Sequence, residues 1–219
     1  MFEELKEKLK VELYKDLPGE KAHNLMMPTA RDEKFVLPTY TISAVKSAVL
    51  ILFYPDDSGA IKFPLIQRPA YNGAHSAQVG FPGGKSEETD KDLVHTALRE
   101  AEEEIGIDGS HVDVVGNLTD LFISVSNFIV TPVIGFMDKK PQFKPDPVEV
   151  ETIIEADLFD IISPLKRREG TILARGKYKI QTPYFTIDDR IVWGATAMML
   201  SELSVIVGKT GIYNNMNYG

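Results

Sequence analysis

Three carboxylate side chains cluster on one side of a predicted helix in the stretch REAEEEIGI, residues 99–107. Glu100, Glu103 and Glu104 are three and four residues apart, so they project from neighbouring sectors of the helix. Like charges at this spacing destabilise a helix by roughly a few tenths of a kcal/mol per pair. Arg99 can pair with Glu103, but one arginine cannot neutralise three carboxylates. Clustered oxygen donors suit a hard divalent cation, Mg²⁺ or Mn²⁺.

The acidic run also permits a simpler interpretation, because a series of glutamates is usually a solvated helix face without chemistry. The angular clustering and a glycine turn just before the helix favour the cation-binding hypothesis. In GFPGG, residues 80–84, Pro82 stiffens the chain, whereas Gly83 and Gly84 permit dihedral angles that other residues avoid. Such a turn can bring a backbone carbonyl group close to the same cation.

The composition limits the classes of function. The chain has 219 residues, no cysteine and a formal net charge of -8. The lack of cysteine excludes disulfides, zinc–thiolate sites and thiol catalysis. The negative charge argues against binding to a nucleic acid polymer, but an anionic small substrate is compatible with it if a divalent cation mediates the contact. We find no bilayer-spanning run and no signal-peptide core, so we expect a cytoplasmic protein without a membrane partner.

Several predicted elements must position the acidic helix. Residues 1 to about 13 predict a helix, and residues 17–40, with three prolines, predict an irregular arm. The ranges 41–55 and 61–68 predict two strands before the glycine turn, and the ranges 112–123 and 128–137 predict two more after the acidic helix. The core-facing side of that helix is predicted to comprise Val94, Ala97, Leu98, Ala101 and Ile105.

The C-terminal third adds smaller elements. Residues 149–163 predict a strand and a short helix, and residues 171–188 predict a hairpin that turns near Gly176. Residues 191–207 predict a closing helix, with Trp193, Met198 and Met199 packing in the core and ligand contact as the alternative. Strands and helices interleave without regular βαβ units, which favours a mixed α/β or α+β sandwich. We predict one domain over residues 41–219, preceded by the helix and arm of residues 1–40.

The glycine turn and acidic helix together resemble the signature box of Nudix hydrolases, G-x5-E-x7-R-E-U-x-E-E-x-G-U, where U is aliphatic. Residues 99–107 match its second half, and the first half departs from it. Fourteen residues separate Gly84 from Arg99, one more than in the general box. The first glutamate of the box falls on Lys91, beside Asp90. A loop longer by one residue explains this difference and makes Asp90 the candidate for that first acid.

A second motif lies upstream of the box. The stretch PLIQRPAYNGAHSAQVGFPGG, residues 64–84, is similar to the accessory motif of the coenzyme A diphosphatase branch of the same family. The positions that match are Leu65, Arg68, His75, Gln78, Val79, Phe81, Pro82, Gly83 and Gly84. The positions that depart are Pro69, Ala77 and Gly80. The resemblance implies that Arg68 contacts phosphate and that His75 and Gln78 shape the coenzyme A site, although surface or loop positions without a role remain the alternative.

The resemblance also implies a ligand set. Glu103 and Glu104 would bind the metal, and Glu100 would be a ligand or the general base. Gly83 would contribute its carbonyl oxygen. The catalytic set further includes Arg99, which would orient the glutamates, and a distal acid would complete the site. Glu149 is the residue chosen for that role, with an exposed loop charge as the alternative.

The fold that the resemblance implies is the Nudix α/β/α sandwich with a central mixed β-sheet. The implied reaction is metal-dependent hydrolysis of coenzyme A or acyl-CoA to 3',5'-ADP and 4'-phosphopantetheine or its acyl derivative. One alternative is a Nudix diphosphatase for ADP-ribose, an NDP-sugar or a dinucleotide, and another is a non-catalytic Nudix-like binding module. Relatives in this family are often dimers, so a homodimer is also an expectation.

Overall fold

The computed structural model describes residues 1–31, 43–69, 77–163, 166–174, 176 and 178–212. The helices in this part of the chain are α1 Phe2–Leu13, α2 Glu20–His23, α3 Leu93–Ile105, α4 Leu158–Ile162 and α5 Gly194–Lys209. The strands are β1 Ala30–Arg31, β2 Val45–Pro55, β3 Ile61–Gln67, β4 Val79–Gly80, β5 Gly83–Lys85, β6 Asp113–Asn117, β7 Leu121–Ile123, β8 Phe128–Phe136, β9 Thr152–Asp157, β10 Arg167–Ala174, β11 Tyr178–Ile187 and β12 Arg190–Val192. Two short 3₁₀ helices cover Asn24–Met26 and Gly109–His111.

The larger sheet is mixed, as predicted. Its central path runs β4-β3-β2-β8-β6, while β5 pairs with β2, β7 with β8 and β9 with β3. The pairing of β2 with β8 is parallel and runs from Val45 opposite Phe128 to Phe53 opposite Phe136. The other strand pairs of this sheet are antiparallel. The parallel pair therefore forms the centre of the sheet.

Helices cover both faces of this sheet. Alternate residues of β2 point to opposite faces, and Leu50 packs with α3 residues whereas Ile51 packs with residues of α1 and α5. Both leucine and isoleucine are fully buried, and each such side chain contributes about 1.5–3 kcal/mol of transfer free energy. Leu5 and Leu9 of α1 belong to the same buried cluster as Ile51. The layers thus have the order helix, sheet, helix, which confirms the predicted sandwich.

Local signals define the ends of α3. The side chain of Asp92 accepts a hydrogen bond from the backbone N–H of His95 at 2.7 Å and caps the first turn. Gly106 ends the helix in the left-handed conformation with φ of 69°. Ala101 and Ile105, four residues apart, are buried against β2, so the predicted core-facing side is confirmed. This orientation leaves the glutamate side of α3 toward the glycine turn.

A smaller sheet of four strands has the path β1-β11-β10, with β12 beside β11. Ala174 lies opposite Tyr178, which confirms the predicted hairpin that turns near Gly176. The predicted helix over residues 191–207 starts too early, because residues 190–192 pair with β11 and α5 begins at Gly194.

The predicted strand over residues 112–123 is two strands, β6 and β7. The chain leaves the sheet at Thr119, whose hydroxyl donates to the buried carboxylate of Glu202 at 2.6 Å. The predicted irregular arm is also more ordered than expected, since residues 20–31 contain α2, a 3₁₀ helix and β1. Residues 32–40 of that arm lie outside the described residues. No helix in the described ranges is long and apolar enough to cross a membrane.

Candidate active site

A cleft of about 730 Å³ is lined by the glycine turn, the glutamate side of α3 and the start of α5. Six of the sequence-predicted site residues line it together, and five of them are Arg68, Gln78, Gly83, Glu100 and Glu104. Glu149, in the loop between β8 and β9, lines it as well. Residues far apart in the chain thus converge on one concave surface, which is the usual form of a small-molecule site.

The glycine turn fits between β2 and α3 because it lacks side chains. Gly83 pairs with Val49 and has φ of 150°, and a Cβ atom there would overlap the carbonyl oxygen of Ala48. A Cβ atom at Gly84 would overlap the carboxylate of Glu100. The two glycines therefore let the backbone of the turn approach the acidic helix closely.

Glu104 is the most buried of the clustered carboxylates, with 1% of its surface exposed. Its Oε2 accepts a hydrogen bond from the backbone N–H of Gly83 at 2.7 Å, and its Oε1 lies 3.0 Å from Nη1 of Arg68. Burial raises the pKa of Glu104 to about 7, although Arg68 and the Gly83 N–H oppose this change. The charges of Glu100 and Glu149 raise it further.

Arg68 connects the glycine turn to the acidic helix. Besides its ion pair with Glu104, its Nη2 donates to the carbonyl oxygen of Gly83 at 3.0 Å. This is the carbonyl group predicted to bind the metal, and its second lone pair is not used by that hydrogen bond. The predicted phosphate contact of Arg68 remains a prediction, because the structure records its contacts within the protein.

Glu100 lies between the turn and Arg99. Its Oε1 is 3.0 Å from Nη1 of Arg99, and 14% of its side chain is exposed. Burial raises the pKa of Glu100, the hydrogen bond and charge of Arg99 lower it, and the charges of Glu103 and Glu149 raise it. The charged form of the Glu100 carboxylate is therefore less stable than that of an exposed carboxylate, and a bound cation would stabilise it.

Asp90 is the residue predicted as the candidate for the first acid of the box. It is fully buried in its side chain, and its two oxygens accept hydrogen bonds from Nε and Nη2 of Arg99 at 3.0 and 3.1 Å. The side chain of Thr96 and the backbone of Glu87 donate to the same carboxylate. Arg99 holds the pKa of Asp90 well below its ordinary value. Lys91, at the motif position itself, is exposed.

Arg99 also contacts the glutamates of α3. Its Nη1 lies 3.0 Å from Oε2 of Glu103, as the four-residue spacing predicted, and its Nη2 donates to the carbonyl of Lys85. Glu103 itself is 58% exposed in its side chain. Arg99 therefore contacts Asp90 and the glutamates at once, and its predicted role of orienting the glutamates stays a prediction. His75 lies outside the described residues.

The donor set of the cleft fits a hard divalent cation. Within the described ranges no three acidic or histidine side chains are gathered around one point. Glu100, Glu104 and Glu149 nevertheless line one cleft, and the negative charges at Glu100 and Glu149 each raise the pKa of Glu104. All donors are oxygens, and this class of ligand suits Mg²⁺ or Mn²⁺.

Sequence reasoning missed a buried polar cluster at another wall of the cleft. Glu202 of α5 is fully buried and contacts Nε2 of His23 at 2.9 Å and the hydroxyl of Thr119 at 2.6 Å. These partners are 179 and 83 residues away, so no spacing rule relates them. The one available signal is an acidic residue inside the apolar stretch AMMLSELSVIV. Trp193 and Met198, for which core packing was predicted with ligand contact as the alternative, line the cleft as well.

Comparison with known proteins agrees with this geometry. The NUDIX domain family model matches residues 45–171. Nudix hydrolase 15, mitochondrial, of Arabidopsis thaliana is 42% identical over 160 residues, which cover 71% of this chain and 56% of the relative. The uncharacterized Nudix hydrolase NudL of Pectobacterium atrosepticum is 36% identical over 141 residues, which cover 64% of this chain and 72% of the relative.

A solved structure supports the fold independently. The crystal structure of a C. elegans Ap4A hydrolase binary complex superposes with a TM-score of 0.51 at 16% identity, and the match covers 75% of this chain and 98% of the other. At this identity the likeness concerns the fold alone. This chain spans little more than half the length of its Arabidopsis relatives, 56% of one and 55% of another.

Proposed function

This chain belongs to the Nudix hydrolase family, and we propose that it hydrolyses a diphosphate linkage with the help of divalent cations. The observation that carries the proposal is the position of Glu100 and Glu104 against the glycine turn in the lining of the cleft. A solvated acidic face does not explain this arrangement, because Glu104 is buried and Glu100 packs against Gly84.

Each residue of the site has a proposed task. Glu100 and Glu104 would hold Mg²⁺ or Mn²⁺, and Glu103, Glu149 and the Gly83 carbonyl would complete the ligand set. When bound, the cation supplies neutralisation of the diphosphate charge and makes water more acidic. Glu100 would alternatively serve as the general base that accepts a proton from the attacking water.

Two further groups prepare the site for this reaction. Arg99 fixes the positions of Glu100 and Glu103, and Asp90 prevents Arg99 from turning away. Arg68, at the cleft wall, would bind a phosphate oxygen of the substrate through its guanidinium group. The side chain of Arg68 is 27% exposed, so an incoming anion can approach it.

We propose that the substrate is coenzyme A or an acyl-CoA. Support comes from the accessory motif of residues 64–84, two of whose residues, Arg68 and Gln78, line the cleft. The cleft also has apolar lining residues, among them Phe122, Met198 and Trp193. Such a surface suits a substrate in which the diphosphate is joined to a long organic arm. The products would be 3',5'-ADP and 4'-phosphopantetheine, or its acyl derivative.

Substrate profiling tests the proposal directly. Hydrolysis rates should be measured with coenzyme A, an acyl-CoA, ADP-ribose, an NDP-sugar and a dinucleotide, each with Mg²⁺ and with Mn²⁺. We expect the highest kcat/KM for coenzyme A or the acyl-CoA, and product analysis in oxygen-18 water then identifies the phosphorus attacked. A much faster reaction with ADP-ribose would reject coenzyme A as the substrate and leave the diphosphatase reaction intact. Binding without turnover of any compound would reject the enzyme.

A further inference from the structure

Residues 19–31, called the strap below, are fastened to the C-terminal part of the chain at several points. The backbone N–H of Gly19 donates to Oε1 of Glu202 at 3.0 Å, and the hydroxyl of Ser201 donates to the carbonyl of Ala22 at 2.8 Å. Nη2 of Arg167 donates to the carbonyl of Leu25 at 2.6 Å. The last two residues of the strap form β1, which pairs with β11.

Glu202 is the buried centre of this attachment. It accepts hydrogen bonds from Gly19, from His23, and from both the backbone N–H and the hydroxyl of Thr119. Burial alone would raise the pKa of Glu202, but the hydrogen bonds hold it below its ordinary value. The carboxylate is therefore ionised and can only accept, so Nε2 of His23 carries the hydrogen in this contact. A charge buried at this depth is costly and requires such complete pairing.

The strap forms part of the cleft described above. Its members in the cleft lining are Glu20, His23, Asn24, Met27 and Pro28. The acidic helix α3 packs on one face of the larger sheet, whereas Met26 of the strap packs with α5 residues on the other face. The cleft therefore extends from the glutamates of α3 to the strap, and a substrate held by its diphosphate at α3 would place its remaining part toward the strap.

We propose that the strap is the wall that selects the organic group attached to the diphosphate, and that Glu202 is the positioning residue that holds this wall. The strap and Glu202 both lie outside residues 45–171, the part matched by the family model. Met27 and Pro28 share the cleft with Phe122 and Met198. This part of the wall should therefore favour an apolar group, while Glu20, His23 and Asn24 give the rest of the wall a polar surface. The inference rests on the proposed diphosphatase function.

The test uses surface substitutions that spare the core. Arg167→Met removes one anchor of the strap, and Arg168→Met is the matched control, because Arg168 is the next residue of the same exposed strand. Wild type is first profiled with coenzyme A, ADP-ribose and diadenosine tetraphosphate, and the variants are then measured with the compound that it cleaves best. We expect Arg167→Met to raise KM about tenfold with kcat within about twofold of wild type.

Two more variants separate positioning from general folding. Glu202→Gln should show the same split of a raised KM and a retained kcat. Arg167→Lys should recover most of the affinity, since it keeps a donor for the carbonyl of Leu25. Thermal unfolding is measured for every variant, so that loss of fold in Glu202→Gln is recognised and the inference is then decided by Arg167→Met.

The outcomes distinguish this inference from the proposed function. The wild-type profile alone decides the substrate, and the strap variants are judged on whichever compound is cleaved. Equal KM values in Arg167→Met and Arg168→Met, or a fall in kcat with KM unchanged, would overturn the role of the strap. If no compound is cleaved, the dissociation constant of coenzyme A replaces KM, and an equal constant in the two variants, or no binding at all, overturns the role as well.

Discussion

The Nη1 atom of Arg68 lies 3.0 Å from Oε1 of Glu104, and this ion pair joins the end of β3 to the last turn of α3. Arg68 also donates to the carbonyl of Gly83, whose own N–H donates to Glu104. Three segments that are separate in the sequence therefore share one closed set of contacts. The glycine turn is held between the guanidinium group of Arg68 and the buried carboxylate of Glu104. We propose that the diphosphate binds at this place.

The first prediction concerns this ion pair. Arg68→Met should lower the free energy of unfolding by about 1–3 kcal/mol, because the buried carboxylate of Glu104 loses its counter-ion while the partly exposed position softens the cost. The double variant with Glu104→Gln should be less destabilised than the sum of the single variants. Urea unfolding without divalent cations measures all four proteins. Strictly additive effects would contradict the coupling.

A pair of glutamate substitutions tests the assignment of the acidic helix. Glu103→Gln should lower kcat/KM at least about a hundredfold, because a proposed cation ligand loses its charge. Glu102→Gln is the matched control: its side chain accepts from the N–H of Gly109 at 2.7 Å, away from the cleft, and an amide oxygen can accept equally well. Equal activity of the two variants would refute the role of Glu103.

The glycine turn yields a contrast between neighbouring residues. Gly84→Ala would displace the flexible side chain of Glu100, so activity should fall at least about tenfold while the free energy of unfolding stays within about 1 kcal/mol of wild type. Gly83→Ala would instead overlap the backbone of Ala48 and Val49, and it should cost more than about 3 kcal/mol. Kinetics and urea unfolding separate the two effects. Full activity in Gly84→Ala would contradict the close packing of Glu100.

The stability of the strap attachment should depend on pH. Because the pKa of Glu202 is lower in the folded protein than its ordinary value of 4.5, its contribution is present above pH 4.5 and is lost as the pH falls through the folded value. Glu202→Gln should therefore reduce the free energy of unfolding by about 1–3 kcal/mol at neutral pH, and this difference should shrink below pH 4.5. Urea unfolding of both proteins from roughly pH 3 to pH 7 measures this difference in the free energy of unfolding. The exposed residue Glu20 provides a Glu→Gln control, which should leave the profile unchanged.

Local patterns in the sequence predicted the acidic helix and its surroundings well. The buried side of α3 follows from helical periodicity, and the pairing of Arg99 with Glu103 follows from their four-residue separation. The role of Asp90 needed more than counting, because the motif position falls on Lys91. The longer loop shifts the acid by one residue, and only the structure places the Asp90 carboxylate against both Nε and Nη2 of Arg99.

Contacts between distant segments were beyond the sequence. The ion pair of Arg68 with Glu104 and the contact of His23 with Glu202 depend on how strands and helices are ordered in space. The observed strand ends also differ from the predicted ones where a side chain forms a hydrogen bond with a distant residue. Thr119 leaves the sheet to reach Glu202, and this splits a segment that reads as one continuous strand.

The parallel pairing of β2 with β8 has a consequence for how the protein acquires its activity. The stretch of chain between these two strands contains β3, the glycine turn and α3. Long-range pairings of this kind form slowly, because a large loop must close before they are rewarded. The sheet that supports the glycine turn and α3 is therefore completed only when that loop has closed, which makes assembly of the proposed site depend on a slow, long-range step of folding.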